Sequence, residues 1–128
     1  MTPDQKSDLM HRIHDVFSER RDWVDSRNFN IDGVASDSRF YGNGEIWVGL
    51  WVVKGEDEVI DVASIIRSDG GILDFYTELY HMSKNLLHAV EGRVEMDSDQ
   101  QWADHIIGEV RRFFRECESQ ILEILERL

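Results

Sequence analysis

A short segment with apolar side chains on both of its faces constrains this fold more than any other feature. In Glu45–Val53, one face carries Ile46, Val48, Leu50 and Val52, and the other carries Trp47, Trp51 and Val53. A strand that is apolar on both faces is typical of the interior of a sheet. The segment is much shorter than the ~20 residues that a membrane-spanning helix needs. The sequence therefore predicts a central β-strand in a folded domain.

Turn signals on both sides of this segment predict one strand before it and another after it. Gly42-Asn43-Gly44 contains Asn-Gly, a strong hairpin signal, and joins a predicted strand at Val34–Tyr41 to the central one. Lys54-Gly55-Glu56-Asp57 leads to a third predicted strand, Glu58–Arg67, which is again apolar on both faces. These segments predict a three-stranded antiparallel meander.

Helical spacing of apolar residues predicts helices on both sides of the meander. Thr2-Pro3-Asp4-Gln5 matches a capping box with proline at the first helical position, so a helix is predicted from here to about Asn28. The apolar residues of Ile72–Val90 predict a middle helix, with a strand over Ile72–Met82 as the competing interpretation. Arg93–Met96 is a candidate for a fourth, short strand.

A long amphipathic helix is predicted at the end of the chain. Ser98-Asp99-Gln100-Gln101 resembles a second capping box. The apolar stripe that follows consists of Trp102, Ile106, Val110, Phe113, Cys117, Ile121, Ile124 and Leu128. Such a helix would be roughly 40 Å long, which exceeds what a three-stranded sheet covers. Its C-terminal part is therefore expected to pack against a partner or a second copy.

Length and cysteine content predict a single α+β domain over residues 1–128. A chain of 128 residues buries about two-thirds of its unfolded surface, so its core needs no metal or disulfide. Cys117 is the one cysteine, which excludes an intrachain disulfide. Since no signal peptide is recognisable either, the expected location is the cytoplasm.

The net charge of −12 is concentrated in the middle of the chain. Residues 28–100 contain fourteen acidic and five basic residues, a net charge of −9. Phosphate groups are bound by lysine and arginine, so neither nucleic acid nor an anionic membrane is an expected partner. A basic protein is the kind of partner that this charge attracts.

No spacing of titratable residues predicts a catalytic site, a metal or a cofactor. His105 and Glu109 share a helical face, and His81 and His88 lie seven apart in the predicted middle helix. Each could be half of an acid–base pair, but no activated nucleophile or third orienting group accompanies them. A small enzyme using His81, His88 or His105 is kept as an alternative.

Two groups of residues are candidates for a partner-binding surface. Trp47 and Trp51 lie on one face of the central strand, where they either pack under a helix or, if the helices cover the other face, form an apolar binding patch. The acidic residues at and after the next hairpin either form a solvated turn or meet a basic partner. The candidate contacts are Trp47, Trp51, Glu56, Asp57, Glu58 and Asp61.

Gly44–Val48 through Glu58–Ala63, together with the helices predicted before and after it, resembles a known family. The segment is similar to TriTu-type immunity proteins of bacterial polymorphic toxin systems, over about residues 13–90. The resemblance implies a helix, a small meander and a further helix, in a protein that occupies and inhibits its cognate toxin without catalysis. Together with the acidic middle of the chain, it favours a non-catalytic immunity protein that neutralises a basic toxin or nuclease.

The predicted order of elements supports a second resemblance. A helix, three strands, a helix, strand material and a last helix is similar to class I type III secretion chaperones, which are small, acidic and dimeric. No clear hairpin separates the last two helices, which is a departure from that family. The resemblance implies, as the alternative function, a dimer that binds an effector segment, with the C-terminal helix as a possible dimer contact.

Overall fold

The computed structural model describes residues 1–99 and 101–128, and it places one long helix before and one after a five-stranded antiparallel sheet. The elements are α1 (Pro3–Asp25), β1 (Gly33–Phe40), β2 (Ile46–Lys54), β3 (Asp57–Asp69), β4 (Ile72–His81), β5 (Asn85–Glu95) and α2 (Gln101–Glu126). The strands pair in chain order, so β2, β3 and β4 are interior strands and β1 and β5 are edges. Neither helix combines the length and the apolar character needed to cross a bilayer.

The predicted start of the first helix is confirmed. The Thr2 Oγ1 atom accepts a hydrogen bond from the Gln5 backbone N–H (3.1 Å), and the Thr2 backbone N–H donates to the Gln5 side chain (2.9 Å). Pro3 lies in the first turn of α1, where backbone N–H groups have no acceptor within the helix, so its lack of an N–H costs no hydrogen bond. The helix ends at Asp25, three residues before the predicted end.

The predicted middle helix is wrong, and the sheet has five strands where three were expected. Residues 72–81 and 85–95 form β4 and β5, so the competing strand interpretation of Ile72–Met82 is the correct one. Leu73, Phe75 and Leu79 are buried at a spacing of two or four, which is strand periodicity. The other face carries further large side chains, Ile72, Tyr76 and Tyr80. Because large residues occur on both faces, their combined positions resemble the spacing of a helix.

The order of elements therefore differs from the one that resembled secretion chaperones. That order contained a helix between the third strand and the strand material near the C-terminal helix. In the structure, β3 is followed directly by β4 and β5. The two-residue Gly70-Gly71 turn makes the first connection possible, because Gly70 has a φ of +62°.

Both helices lie on one face of the sheet and form a single core with it. Phe17 of α1 meets Phe114 of α2 edge to face, with ring centroids 5.1 Å apart. The polar pair in this core is satisfied, because the Ser64 and Thr77 hydroxyls hydrogen-bond each other at 3.0 Å. The buried sheet residues beneath the helices include Ile46, Val48, Leu50, Val52, Ile60, Val62, Ile66, Leu73, Phe75 and Leu79.

The C-terminal helix is buried along its length by its own chain. Ile121 and Leu125 are each 2 % exposed, so the end of α2 has no uncovered apolar stripe of the kind expected. The reason is the width of the sheet: five strands about 4.8 Å apart cover more of the helix than three. A dimer through α2 stays a prediction, but the packing of α2 does not require one. The predicted capping box at Ser98–Gln101 includes Gln100, which lies outside the described residues.

Candidate protein-binding face

The side of the sheet turned away from the helices, called here the open face, carries alternate residues of every strand. Its pattern follows from the strand period of two, which sends neighbours of the buried residues to the opposite side. The principal open-face residues are Asp37 and Arg39 on β1, Trp47, Gly49 and Trp51 on β2, Asp61, Ala63 and Ile65 on β3, Tyr76, Glu78 and Tyr80 on β4, and Leu86, Ala89 and Glu91 on β5. The open face is therefore a broad, mixed aromatic and acidic surface.

The strand register arranges four aromatic side chains in two rows. Trp47 lies opposite Ile65, which lies opposite Tyr76, and four residues along each strand Trp51, Asp61 and Tyr80 are aligned in the same way. The row between them consists of Gly49, Ala63, Glu78 and Ala89. Glu78 is therefore the one large side chain in a line of small ones, flanked by aromatic residues.

The indoles of Trp47 and Trp51 approach each other along β2, over the intervening Gly49. The ring centroids of Trp47 and Trp51 are 6.4 Å apart, with the planes 34° from parallel. Gly49 makes this possible, because a Cβ atom there would lie 2.4 Å from the Trp47 ring. The Arg39 guanidinium lies 4.9 Å from the centroid of the Trp47 ring on the other side. The sequence was compatible with indoles under a helix or on the face that the helices leave uncovered. In the structure, both indoles lie on the open face, where they are half-buried.

A β-bulge brings Glu58 to the same face as Asp61. Val52 pairs with Ile60 but Val53 pairs with Glu58, so Val59 is the extra residue and turns inwards, 4 % exposed. Without the bulge, residues 58 and 61 would point to opposite sides. Burial, followed by the carboxylates of Glu58 and Glu78, raises the pKa of Asp61. The open face thus holds like charges at positions where they repel each other.

These carboxylates have no basic partner in the described part of the chain. No lysine, arginine or histidine there forms an ion pair with Glu58, Asp61, Glu78 or Glu91. They are also spread along the sheet, since no three acidic, histidine or cysteine side chains of the described residues converge as a metal site would require.

Two tyrosines stand on either side of Glu78 on its own strand. Burial, together with the Glu78 carboxylate, raises the pKa of Tyr76 to about 12. The Glu78 carboxylate and then burial raise the pKa of Tyr80. Both phenols therefore keep their protons at neutral pH and remain hydrogen-bond donors beside an acceptor.

Two carboxylates at the opposite end of the open face are paired with arginine. Arg67 Nε donates to Glu45 Oε2 at 2.7 Å, and Arg93 Nε donates to Asp74 Oδ1 at 2.6 Å. Arg67, Asp74 and Arg93 rim a shallow depression of about 690 Å³ that extends to Ile65 and Tyr76. Arginine thus offsets part of the negative charge at this end, whereas Asp61 and Glu78 have no such partner among the described residues.

Four of the six contacts predicted from the sequence share the open face, namely Trp47, Trp51, Glu58 and Asp61. Glu56 and Asp57 are exposed at the β2–β3 hairpin, which lies at the rim. Tyr76, Glu78 and Tyr80 are not among the residues predicted from the sequence, because the spacing in Ile72–Val90 predicts a helix. The alternation of Phe75, Thr77 and Leu79 with these three residues was the signal that could have identified them.

The three histidines kept as candidate catalytic residues lie in different surroundings. His88 contacts Glu116 (Nε2 to Oε2, 2.9 Å) and stacks on Phe113, whereas His105 packs against the Phe75 ring at 5.8 Å. His81 ends β4 and lines a separate surface depression. His81 and His88 were expected seven apart on one helix, and the structure puts them on neighbouring strands.

Comparison with protein-family models, with curated proteins and with solved structures finds no match to this chain.

Proposed function

We propose that this protein is a non-catalytic binding module that neutralises a basic protein, such as a toxin or nuclease, by covering part of its surface with the open face. The observation that carries the proposal is the open face itself, where four aromatic side chains surround carboxylates that have no partner among the described residues. Exposed aromatic groups within a polar rim are typical of protein interfaces.

The distribution of charge supports a basic partner. The segment with a net charge of −9 contains the whole sheet, whereas nine of the fourteen lysine and arginine residues belong to the two helices and their ends. The negative potential is therefore concentrated in the layer that bears the open face. Such a surface attracts a basic partner during encounter and disfavours acidic ones.

The contact chemistry follows from the geometry of the rows. An arginine or lysine side chain that lies over Tyr80 reaches Glu78 and Asp61, and its charge offsets the burial and the neighbouring carboxylates that raise the pKa of Asp61. The Trp47–Trp51 pair offers an apolar area for the rest of the interface. Inhibition would then be steric and electrostatic, with no chemical step.

The test uses the partner that the protein itself retains. A basic protein captured from a lysate of the source organism is identified and purified, and its Kd is measured by calorimetry. We expect Trp51→Ala to weaken binding on the order of 30-fold, the loss typical of a central aromatic contact, and Glu78→Lys to weaken it at least tenfold.

Matched variants on the helical layer serve as controls. Trp23→Ala removes a partly exposed indole from α1, and Glu126→Lys reverses an exposed charge on α2. Both should leave Kd within about twofold, as expected for residues outside the interface. Retained proteins that are not basic, or a Kd that responds to the helical variants and not to Trp51 or Glu78, would contradict the proposal.

A further inference from the structure

The last strand, β5, presents an eleven-residue edge with free backbone groups. The Met96 backbone N–H donates to the Gly71 carbonyl at 2.9 Å, so even-numbered residues of the regular part of β5 bond to β4. Odd-numbered residues therefore point their N–H and C=O groups outwards. The Gln120 side chain, which donates to the Leu87 carbonyl at 3.4 Å, fits this alternation. It is the one side chain of the described residues that bonds this edge.

We infer that a second copy of this chain pairs with β5, antiparallel and centred on Gly92, to form a ten-stranded sheet. In a two-fold symmetric dimer, if residue i of one copy lies opposite residue j of the other, then residue j of the first copy lies opposite residue i of the second. With Gly92 on the axis, Glu91 lies opposite Arg93 of the second copy and Arg93 lies opposite Glu91 of the second copy. Both pairs are outward-facing, hydrogen-bonded positions and carry opposite charges.

The neighbouring symmetric registers match less well. An axis at Glu91 or at Arg93 would place like charges directly opposite each other, which is destabilising. An axis at Val90 would pair Glu91 with Ala89. An axis at Val94 would pair Arg93 with Glu95 but would also set Glu91 against Asp97. The Gly92 register is therefore the one that gives two opposite-charge pairs and no like-charge pair.

Side chains on the helix side of β5 also fit this register. Gly92 would occupy a close, non-hydrogen-bonded position at the axis, where Cα atoms approach to about 4.5 Å. Val90 would face Val94 of the second copy, and both valines are partly buried at the margin of the core. The dimer would therefore join the two cores through a group of four valines.

The other edge of the sheet is less suited to the same pairing. On β1, Arg39 donates to Asp37 at 3.1 Å and also lies over the Trp47 ring, so both charges are already engaged. Arg21 from α1 donates to the Ser36 hydroxyl at 2.8 Å, and β1 has eight residues. On β5, Arg93 also donates to Asp74 at 2.6 Å, but Glu91 has no ion-pair partner among the described residues, so one charge of each proposed pair remains free.

The first experiment measures the mass in solution by light scattering and sedimentation, at about 0.15 M salt, where repulsion between distant charges is screened. The wild-type protein is expected at twice the 15.0 kDa of one chain. Glu91→Arg should raise the dimer Kd at least tenfold, and the exchange Glu91→Arg/Arg93→Glu should restore it to within a few-fold of wild type. The exchange Asp37→Arg/Arg39→Asp on β1 is the matched control and should leave the dimer Kd unchanged.

The second experiment tests the register. In a Val90→Cys/Val94→Cys variant, mild oxidation should give a covalent dimer, because these positions face each other across the two-fold axis at Gly92. Val94→Cys alone should give none, because Val94 would face its own counterpart only if the axis lay at Val94. Cys117 does not interfere, since it is fully buried and burial raises the pKa of its thiol to about 12. A monomeric wild-type protein would overturn the inference. So would a dimer that is insensitive to Glu91→Arg, which would place the contact elsewhere, for example on α2. Either result can be told apart from a failure of the proposed function, because that function is tested by Trp51→Ala and Glu78→Lys, which lie outside β5.

Discussion

At the scale of single residues, the open face depends on side chains that are unremarkable in the sequence. Gly49 leaves room for the Trp47 indole, and the extra residue Val59 turns Glu58 towards Asp61. Glu78 is central because its neighbours across the strands, Ala63 and Ala89, are small. The local result is a set of carboxylates on one face of the sheet that form no ion pair with a basic side chain of the described residues.

The charge of Asp61 is predicted to destabilise the folded protein at neutral pH. Its pKa is raised in the folded state, so this group stabilises the fold below its ordinary pKa of 3.8, and that contribution is lost as the pH rises through the folded value. Asp61→Asn should therefore increase the free energy of unfolding at pH 7 by about 0.5 kcal/mol, a value discounted for solvent screening. Urea unfolding at several pH values measures the difference, which should disappear under strongly acidic conditions.

Asp37→Asn is the matched control for this prediction. The Ser38 backbone N–H, followed by the Arg39 side chain, lowers the pKa of Asp37. Here the charged form is the favoured one, so the substitution should change stability in the opposite direction at pH 7. Equal effects of the two substitutions would contradict the account of Asp61.

At the scale of elements, the strands differ in how clearly their residues indicate a face. β2 is apolar on both sides, and its covered side is decided by the helices, which pack on Ile46, Val48, Leu50 and Val52. The helix α2 is less ambiguous, because its apolar stripe is continuous and is buried from Trp102 to Leu125. Between α1 and α2, the Phe17 and Phe114 rings meet edge to face, and the ion pairs Arg12–Asp104 and Arg111–Glu19 also join the two helices.

Phe114 is predicted to be a principal contact between the helices and the rest of the core. The side chain is 2 % exposed and meets the rings of Phe17 at 5.1 Å and Phe113 at 5.5 Å. Phe114→Ala should lower the free energy of unfolding by about 3–5 kcal/mol, because it removes a buried ring and leaves a cavity. Arg115→Ala, the next residue and exposed on the same helix, should stay within about 0.5 kcal/mol of wild type in the same urea titration.

At the scale of the whole molecule, the helical layer and the sheet layer have different roles. The helices bury the core face of the sheet, and the open face is left with the aromatic residues and the unpaired carboxylates. Since the acidic excess belongs to the sheet layer, the electric field of the protein is directional. A basic partner should therefore be guided to the open face before contact.

Electrostatic guidance of this kind predicts that the association rate depends on salt, and that particular carboxylates cause the dependence. The association rate with the captured basic protein should fall by on the order of tenfold between low and high ionic strength. Replacing Glu58, Asp61 and Glu78 by their amides should reduce both the rate and its slope against salt. Replacing Asp8, Asp15 and Asp25 on α1, which removes the same charge from the helical layer, should have a much smaller effect in stopped-flow measurements. Equal effects of the two triple variants would show that net charge alone matters.

The amino-acid sequence by itself determined the features whose signals are local. The capping box at Thr2–Gln5, the Asn43-Gly44 hairpin, the interior character of β2, the stripe of α2 and the acidic excess of residues 28–100 depend on neighbours in the chain. Such signals can be interpreted without knowing the rest of the fold, because capping, turn geometry and side-chain period act within a few residues.

Only the tertiary structure decided the identity of β4 and β5 and the exposed side of β2. Ile72–Val90 has large side chains on both strand faces, so its spacing is compatible with a helix until β3 is available for pairing. The position of Trp47 and Trp51 could not be inferred from β2, because either face is apolar enough to be buried. Which face stays open depends on where α1 and α2 pack, and that contact joins residues far apart in the chain.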